Sequence, residues 1–351
     1  MKPEPLPWRQ LELAGHALDF APIHSADEYL HPVSPTADYT AIETNLYGFN
    51  IPAAQIQSNI YLLWHPVLKT MSMQIFVYRG ERILSHQLAA DYFLEHLYLP
   101  AAEDNRDYRL QMGSCSARLR IVAPLEEILL EIDDPERRFA LHLRYRAAMA
   151  PVGRPGGKHF TQLMKTDGEL VLDGAPFRID GHHVRDRSWG YARPERPESG
   201  PPYRWFTGWF GDDSAFVLAW LDDSLLDAPN GASESEAARG NKWESGGPTP
   251  SPALRSGWIT LNGRPRPVVR LGVKTRLAPG SFQVQEIELE VEDADGGIHH
   301  ISGRTVSMIP KMYWQNLLVL MHFMELRLAG RTGHGDLMDT YSGDHLRSPG
   351  G

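Results

Sequence analysis

KHFTQLMKTDGELVLDGAPFRIDGHHVRDRSWGY, residues 158–191, is the stretch from which the fold follows. One face runs Phe160, Gln162 and Met164, then Leu170 and Leu172, then Phe177 and Ile179, which is the period of two of a β-strand. Asp173-Gly174, between two of these runs, has the turn chemistry of a tight hairpin. The expectation is a β-meander. Its last leg, Gly181 to Gly190, carries His182, His183, Arg185, Asp186, Arg187 and Trp189 where a core strand would carry aliphatics.

Two readings of that leg stand side by side. In one it is an exposed edge strand with solvated charges and Trp189-Gly190 at its tip. In the other, alternation sets Val184, Asp186 and Ser188 on one face and Arg185, Arg187 and Trp189 on the opposite one. Asp186 then shares a face with Val184 and points into an apolar interior. A carboxyl group there resists ionisation and holds a proton near neutral pH, as a general acid must.

The string Val184 to Gly190, VRDRSWG, preceded by Thr161-Gln162 and a Gly-rich hairpin, resembles the RDHSWG signature of bacterial two-domain lipocalin-like proteins. That group is related to the carotenoid 1,2-hydratases, whose motif reads HDHNWG, and to AttH-like proteins. Glu43-Thr44-Asn45 with the Ser58 to Trp64 strand, and Gly333-His334-Gly335, fit the same pattern, so the resemblance spans much of the chain. It implies an all-β fold of two lipocalin-like, calycin-type antiparallel barrel or sandwich domains in tandem. Carried over position by position, the motif Asp is Asp186 and the Trp is Trp189. The His that follows the Asp in the family is Arg187 here, and Arg185 stands where the hydratases have their preceding His. Arginine cannot shuttle protons. Arg185 or Arg187 is therefore expected to hold Asp186, or an anionic or hydroxylated group of a substrate.

With 351 residues, 42% of them hydrophobic, the chain can bury two modest cores. The expected domains are residues 1–195, with an N-terminal arm, and 196–347, with a long loop at 222–255. A net charge of −9 argues against nucleic acid or an anionic membrane surface as partner. Cys115 is the single cysteine, so neither an intrachain disulfide nor a cysteine metal site can form. The opening residues lack the basic and apolar regions of a signal peptide, and no apolar run reaches the ~18 residues of a membrane span. A cytoplasmic protein is expected, and a homodimer is left open.

Residues 1 to about 38 read as a Pro-rich arm with a short helix near Ser25 to Leu30. His16, His24 and His31 lack metal-ligand spacing and are expected at the surface. Strands are expected at Ile56–Trp64, Met71–Tyr78, Ser116–Val122, Glu127–Ile132 and Arg137–Tyr145, the last with His142 on its wet face. Ser85 to Leu99 fits a helical stripe as well as an irregular strand. After a Pro-rich link, Tyr203–Phe210 and Ala215–Leu221 resume the strand pattern, and Asp222 to Arg255 is either a lid or disordered. A phase slip at Gln285-Glu286 predicts a β-bulge. Pro310 to Gly330 has a helical alternative, but MHFMELRLAG (321–330) echoes MKTDGELVLDG (164–174), which favours strand.

No GxSxG, GxGxxG, Walker or zinc-deaminase pattern is present. What remains is acid–base chemistry without cofactor or metal, in a cavity that 9 Trp, 13 Tyr and 11 Met can line. The expected function is a cofactor-independent lyase, hydratase or isomerase acting on a lipophilic terpenoid, steroid or aromatic molecule, with a non-catalytic carrier as the alternative. The catalytic candidates are Asp186, His159 and Arg185. His159 lies opposite the Phe160 and Gln162 face and would meet Asp186 only if the sheet bends. Gln162, Arg187, Trp189 and Tyr191 are candidates for substrate contact, as are Glu43 and Asn45, which share a face with Tyr47 and would line the same cavity. Trp314, Asn316 and His322 join them through the internal echo, whereas Asp336 and Asp339 read as turn residues.

Overall fold

The computed structural model describes residues 8–14, 18–34, 36–99, 105–192, 202–222, 252–314 and 317–342. Every regular element among them is a strand or a short 3-10 turn, and none is a helix long and apolar enough to cross a membrane. The chain divides into two units, each built on one antiparallel sheet. One sheet closes into an eight-strand barrel and the other curls as a half-barrel, the architecture of tandem lipocalin-like barrels.

Strand β1 (Arg9–Glu12) belongs to the barrel unit. The half-barrel unit comprises Phe20–Arg79 and Leu88–Pro194. Its strands are β2 (Ala41–Ile51), β3 (Ile56–His65), β4 (Thr70–Arg79), β5 (Ala90–Tyr98), β6 (Asp107–Met112) and β7 (Cys115–Ala123). They continue with β8 (Glu127–Asp134), β9 (Phe139–Ala147), β10 (Val152–Gly153), β11 (His159–Leu172) and β12 (Ala175–Ala192). The order is β5-β4-β3-β2-β12-β11-β9-β8-β7-β6, with β10 on β11. The inner face packs Tyr47, Ile60, Ile75, Leu141, Met164 and Ile179 into one core.

The meander is present as expected. Leu172 pairs with Ala175 across Asp173-Gly174, whose φ values of 52° and 82° are those a two-residue hairpin of matching twist requires. Strand β9 buries Phe139, Leu141, Leu143 and Tyr145 in alternation, and His142 is exposed beside Asp133. The helical stripe of residues 85–99 yields to a 3-10 turn (Ser85–Gln87) and β5. Tyr92 and Leu94 point inward while Phe93 is exposed, so pairing with β4 overrides the helical period.

The barrel unit comprises Met1–Asp19, Gly80–Gln87 and Glu195–Gly351. Beside β1 it holds β13 (Tyr203–Trp209), β14 (Ala215–Leu221), β15 (Ala253–Thr260), β16 (Arg266–Leu277) and β17 (Val284–Asp293), then β18 (Ile298–Trp314), β19 (Leu317–Leu328) and β20 (Arg331–Ser342). The path β16-β15-β14-β13-β20-β19-β18-β17 closes because β17 pairs back onto β16, and β1 pairs with β16. Closure leaves fewer edges for unwanted pairing. The predicted bulge is found: Arg276 faces Glu286 and Leu277 faces Val284, so Gln285 is the extra residue. Residues 310–314 and 317–328 lie in β18 and β19, which pair antiparallel, as the echo indicates. Asp336 and Asp339 correct the sequence reading, since both lie within β20 and are buried rather than in a turn. Of the 222–255 loop, residues 223–251 lie outside the described residues, and Ala253 already belongs to β15.

Candidate functional site

The last leg of the meander is a central strand, not an edge, because β12 runs between β11 and β2. Gln162 pairs with Arg185, and Arg187 pairs with Phe160 and Asn45. These residues share the inner face with the core tyrosine Tyr47. The Arg185 guanidinium donates to both Glu28 oxygens at 2.6 and 2.7 Å, and to Gln162 Oε1 at 2.7 and 3.1 Å. Gln162 Nε2 donates to the carbonyls of Leu125 and Met149, and the Leu125 N–H donates to Glu28. Arg185 also lies over the Phe160 ring, 5.0 Å from its centre. A charge this deeply buried is tolerable only when every donor is matched, and here each guanidinium nitrogen is engaged.

A second pair lies beside it. Arg187 binds Glu43 and donates to the Tyr29 carbonyl at 2.8 Å. Glu43 in turn accepts from the His31 backbone N–H at 2.9 Å and lies 3.3 Å from His31 Nδ1. The Trp64 indole donates to Asn45, whose amide donates to Tyr47 Oη. Burial alone would raise the carboxyl pKa of Glu28, but the Arg185 charge and hydrogen bonds outweigh it and hold it below the usual range. Glu43 is likewise lowered against its burial, by His31 and Arg187. Desolvation, helped by the Glu28 charge, pushes the Tyr47 phenol up to about 12.

The rest of the motif has its own tasks. The β12–β2 register shifts between Ser188 and Tyr191, and Gly190 sits at φ 68°, the geometry of a glycine-bearing bulge. The bulge turns Trp189 so that its ring stacks on His31 at 4.8 Å and meets Phe160 edge-on at 6.3 Å. Arg185, Arg187, Ser188 and Trp189 thereby bind the 24–31 segment and β2 to β12. The hydroxyl of Ser188 meets that of Thr44 at 2.6 Å.

Four expectations are corrected. The core cluster of this unit lies on the arginine face and not on that of Asp186, which is half-buried on the opposite, outer face beside Val184 and Ser188, themselves buried. Glu43 and Asn45 share the inner face and do not line a cavity with Asp186. His31 is not a free surface residue but a partner of Glu43 and Trp189. His159 needs no bend of the sheet to approach Asp186. His159 pairs with Ser188 and Thr161 with Asp186, which sets His159 and Asp186 diagonally on the outer face, at the usual spacing of about 7–8 Å for such neighbours. The same face carries the buried Thr44, Thr161 and Ser188 and the apolar Leu46, Leu163 and Val184.

Tyr191 pairs with Ile42 through its backbone. Trp314 ends β18, Asn316 lies outside the described residues, and His322 is fully buried in the barrel unit. The sequence reading missed Glu28 and Arg204. Glu28 sits in a short Pro-flanked turn with no period, and Arg204 occupies one position of an aromatic strand where nothing marks it as buried. No cluster of metal-ligating side chains occurs among the described residues.

Two antiparallel β units, one closed and one curled, with polar side chains mounted on central strands, define a tandem lipocalin-like protein. The chain belongs to the DUF7064 family, a domain of unknown function, which matches residues 24–341. Among solved structures it is similar to CghA, at 11% identity and a TM-score of 0.56 over 95% of this chain and 98% of that one. CghA with Sch210972 matches equally, at 11% and 0.56 over 95% and 99%. Kievitone hydratase from Nectria haematococca aligns at 12% and 0.55 over 94% and 96%, and an AttH-type protein from Nitrosomonas europaea at 12% and 0.55 over 89% and 100%. No curated protein matches the chain. At these identities the likeness is one of fold, and it extends over nearly the whole length of each.

Proposed function

We propose that the protein is a cofactor-independent lyase, hydratase or isomerase for a lipophilic small molecule, with Asp186 and His159 as its acid–base pair. The observation that carries this reading is their diagonal placement on one face of β11 and β12, among hydroxyl and aliphatic side chains. A carboxyl and an imidazole at that spacing span a reacting double bond and its incoming or departing water. In the hydration direction Asp186 gives a proton to carbon while His159 takes one from water. Arg185 and Arg187 act on this reading as positioning residues: their ion pairs hold β12 from behind, and Thr161 and Ser188 offer hydroxyls to a polar group of the substrate. The fold shared with kievitone hydratase, and with a protein crystallised together with Sch210972, supports a small-molecule substrate.

The test is a panel of prenylated, polycyclic and aromatic alkenes and alcohols incubated with the purified protein, scored by mass spectrometry for gain or loss of water or for isomerisation. Turnover should fall by roughly 10²-fold or more in Asp186→Asn, with melting temperature and ligand affinity preserved. Tight binding without turnover in the wild type favours the carrier reading instead. An Asn variant as active as the parent removes Asp186 from the mechanism.

A further inference from the structure

The barrel unit holds a second polar cluster inside its closed sheet. Arg204 on β13 pairs across the strands with Asp339 on β20 and Trp220 on β14, and Asp339 pairs with Leu320 on β19. The Arg204 guanidinium donates from Nε to Asp339 at 2.5 Å and from Nη1 to Asp222 at 2.7 Å, and it lies 5.9 Å from the centre of the Trp220 ring. One strand-pair along, Leu337 pairs with His322 and with Phe206, so His322 is the diagonal neighbour of Asp339 on the inner face. Below this level Phe206, Phe216, Leu218, Leu326 and Leu337 fill the barrel with apolar side chains. Above it, Leu320 and Tyr341 pack with Leu318 and Leu277.

Unlike the matched Arg185 pair, this cluster leaves groups over. His322 is 0% exposed, and among the described residues neither of its ring nitrogens has a hydrogen-bond partner. The same holds for Trp220 Nε1 and for Asp339 Oδ2. Buried polar atoms are almost always satisfied, so several orphans on adjacent strands of one barrel interior call for an outside group. Burial, with the Arg204 charge adding to it, pushes His322 down to about 3, so near neutral pH it is an uncharged ring with one donor and one acceptor. Burial raises Asp339 despite Arg204. Two carboxylates around one guanidinium repel an anion, and the surrounding leucines suit a hydrocarbon body.

We propose that the barrel interior is a binding site for the hydroxyl or carbonyl end of an otherwise apolar small molecule, its oxygen received by His322, Trp220 and Asp339 and its body lying against Leu318 and Leu320. This site stands apart from the Asp186 and His159 face and does not depend on it. Calorimetric titration of the full chain with octan-1-ol, octanoate and octylamine tests the assignment. Saturable binding is expected for octan-1-ol and at least about tenfold weaker binding for the two charged probes. His322→Leu, close to an isostere, should weaken octan-1-ol about tenfold or more with no fall in melting temperature, since it removes an unpartnered polar group. His322→Gln, which keeps a donor and an acceptor, should retain part of the affinity, and Asp186→Asn all of it. Absence of saturable octan-1-ol binding in the wild type overturns the proposal. So does unchanged binding in His322→Leu, or in His322→Gln and Trp220→Phe together if the leucine variant does not fold.

Discussion

Arg185 and Glu28 form a two-armed ion pair with both side chains at 0% exposure, Nη1 to Oε1 at 2.6 Å and Nη2 to Oε2 at 2.7 Å. Glu28 comes from a 3-10 turn, Ser25–Glu28, and the pair is one of the contacts, with Arg187 on the Tyr29 carbonyl and His31 on Glu43 and Trp189, that fix the 24–31 segment against β12 and β2. Glu28→Gln leaves the guanidinium charged, buried and underpaired, and should cost about 3–5 kcal/mol. Replacing both partners by apolar residues, Glu28→Leu with Arg185→Met, should cost markedly less. Urea unfolding of the three proteins measures the difference, and equal losses in the single and double variants would show that the pair is not coupled.

Gly190 offers a backbone test. At φ 68° a β-carbon is strained whatever the space around it, and one added here would meet the Lys158 side chain at 3.3–3.5 Å, which can move aside. Gly190→Ala should therefore destabilise by about 1 kcal/mol, and Gly190→Asn by less, because Asn tolerates the left-handed region. A beneficial effect of alanine in thermal denaturation would mean that the bulge is not needed.

The period of two made the all-β architecture legible, and local chemistry made Asp173-Gly174 and the Gln285 bulge legible too. Alternation also divided the motif correctly into two faces. What it could not supply was which face carries the core cluster, since Val184 beside Asp186 is apolar and buried as well, while the cluster lies on the side of two arginines. Their burial depends on Glu28 and Glu43, more than a hundred residues earlier, and no local pattern announces a carboxylate that will be matched across that distance. Arg204 and Asp339 were hidden for the same reason.

The stack of His31 on Trp189 sits at the rim of the second pair, with His31 Nδ1 at 3.3 Å from Glu43. Trp189→Phe should preserve the fold, whereas Trp189→Ala removes the half-buried ring that meets His31 and Phe160 and should cost about 1–3 kcal/mol, less than truncating a fully buried aromatic. If Trp189 instead contacts substrate, the phenylalanine variant loses turnover without losing stability, and parallel measurement of both quantities separates the roles.

Acid should find these buried groups in sequence. His322 has a folded pKa below its ordinary 6.5, so the unfolded chain takes up a proton at a pH where the folded chain does not. The stability it contributes is complete above about pH 6.5 and is lost as the pH falls towards 3, on the order of 2 kcal/mol by about pH 5. Glu28 and Glu43 also have lowered folded values. Their contribution is complete above the ordinary carboxyl pKa of 4.5 and is lost only as the pH drops through their folded values. The wild type should thus weaken steadily from about pH 6.5 downward, and more steeply once the pH drops below about 4.5. His322→Leu should remove the loss between about pH 6.5 and 4.5, the first limb, and lessen the slope below it, while Glu28→Gln should lessen only the slope below about pH 4.5 and leave the first limb. Denaturant midpoints across that range measure both, and a first limb that persists in His322→Leu would assign it to another group.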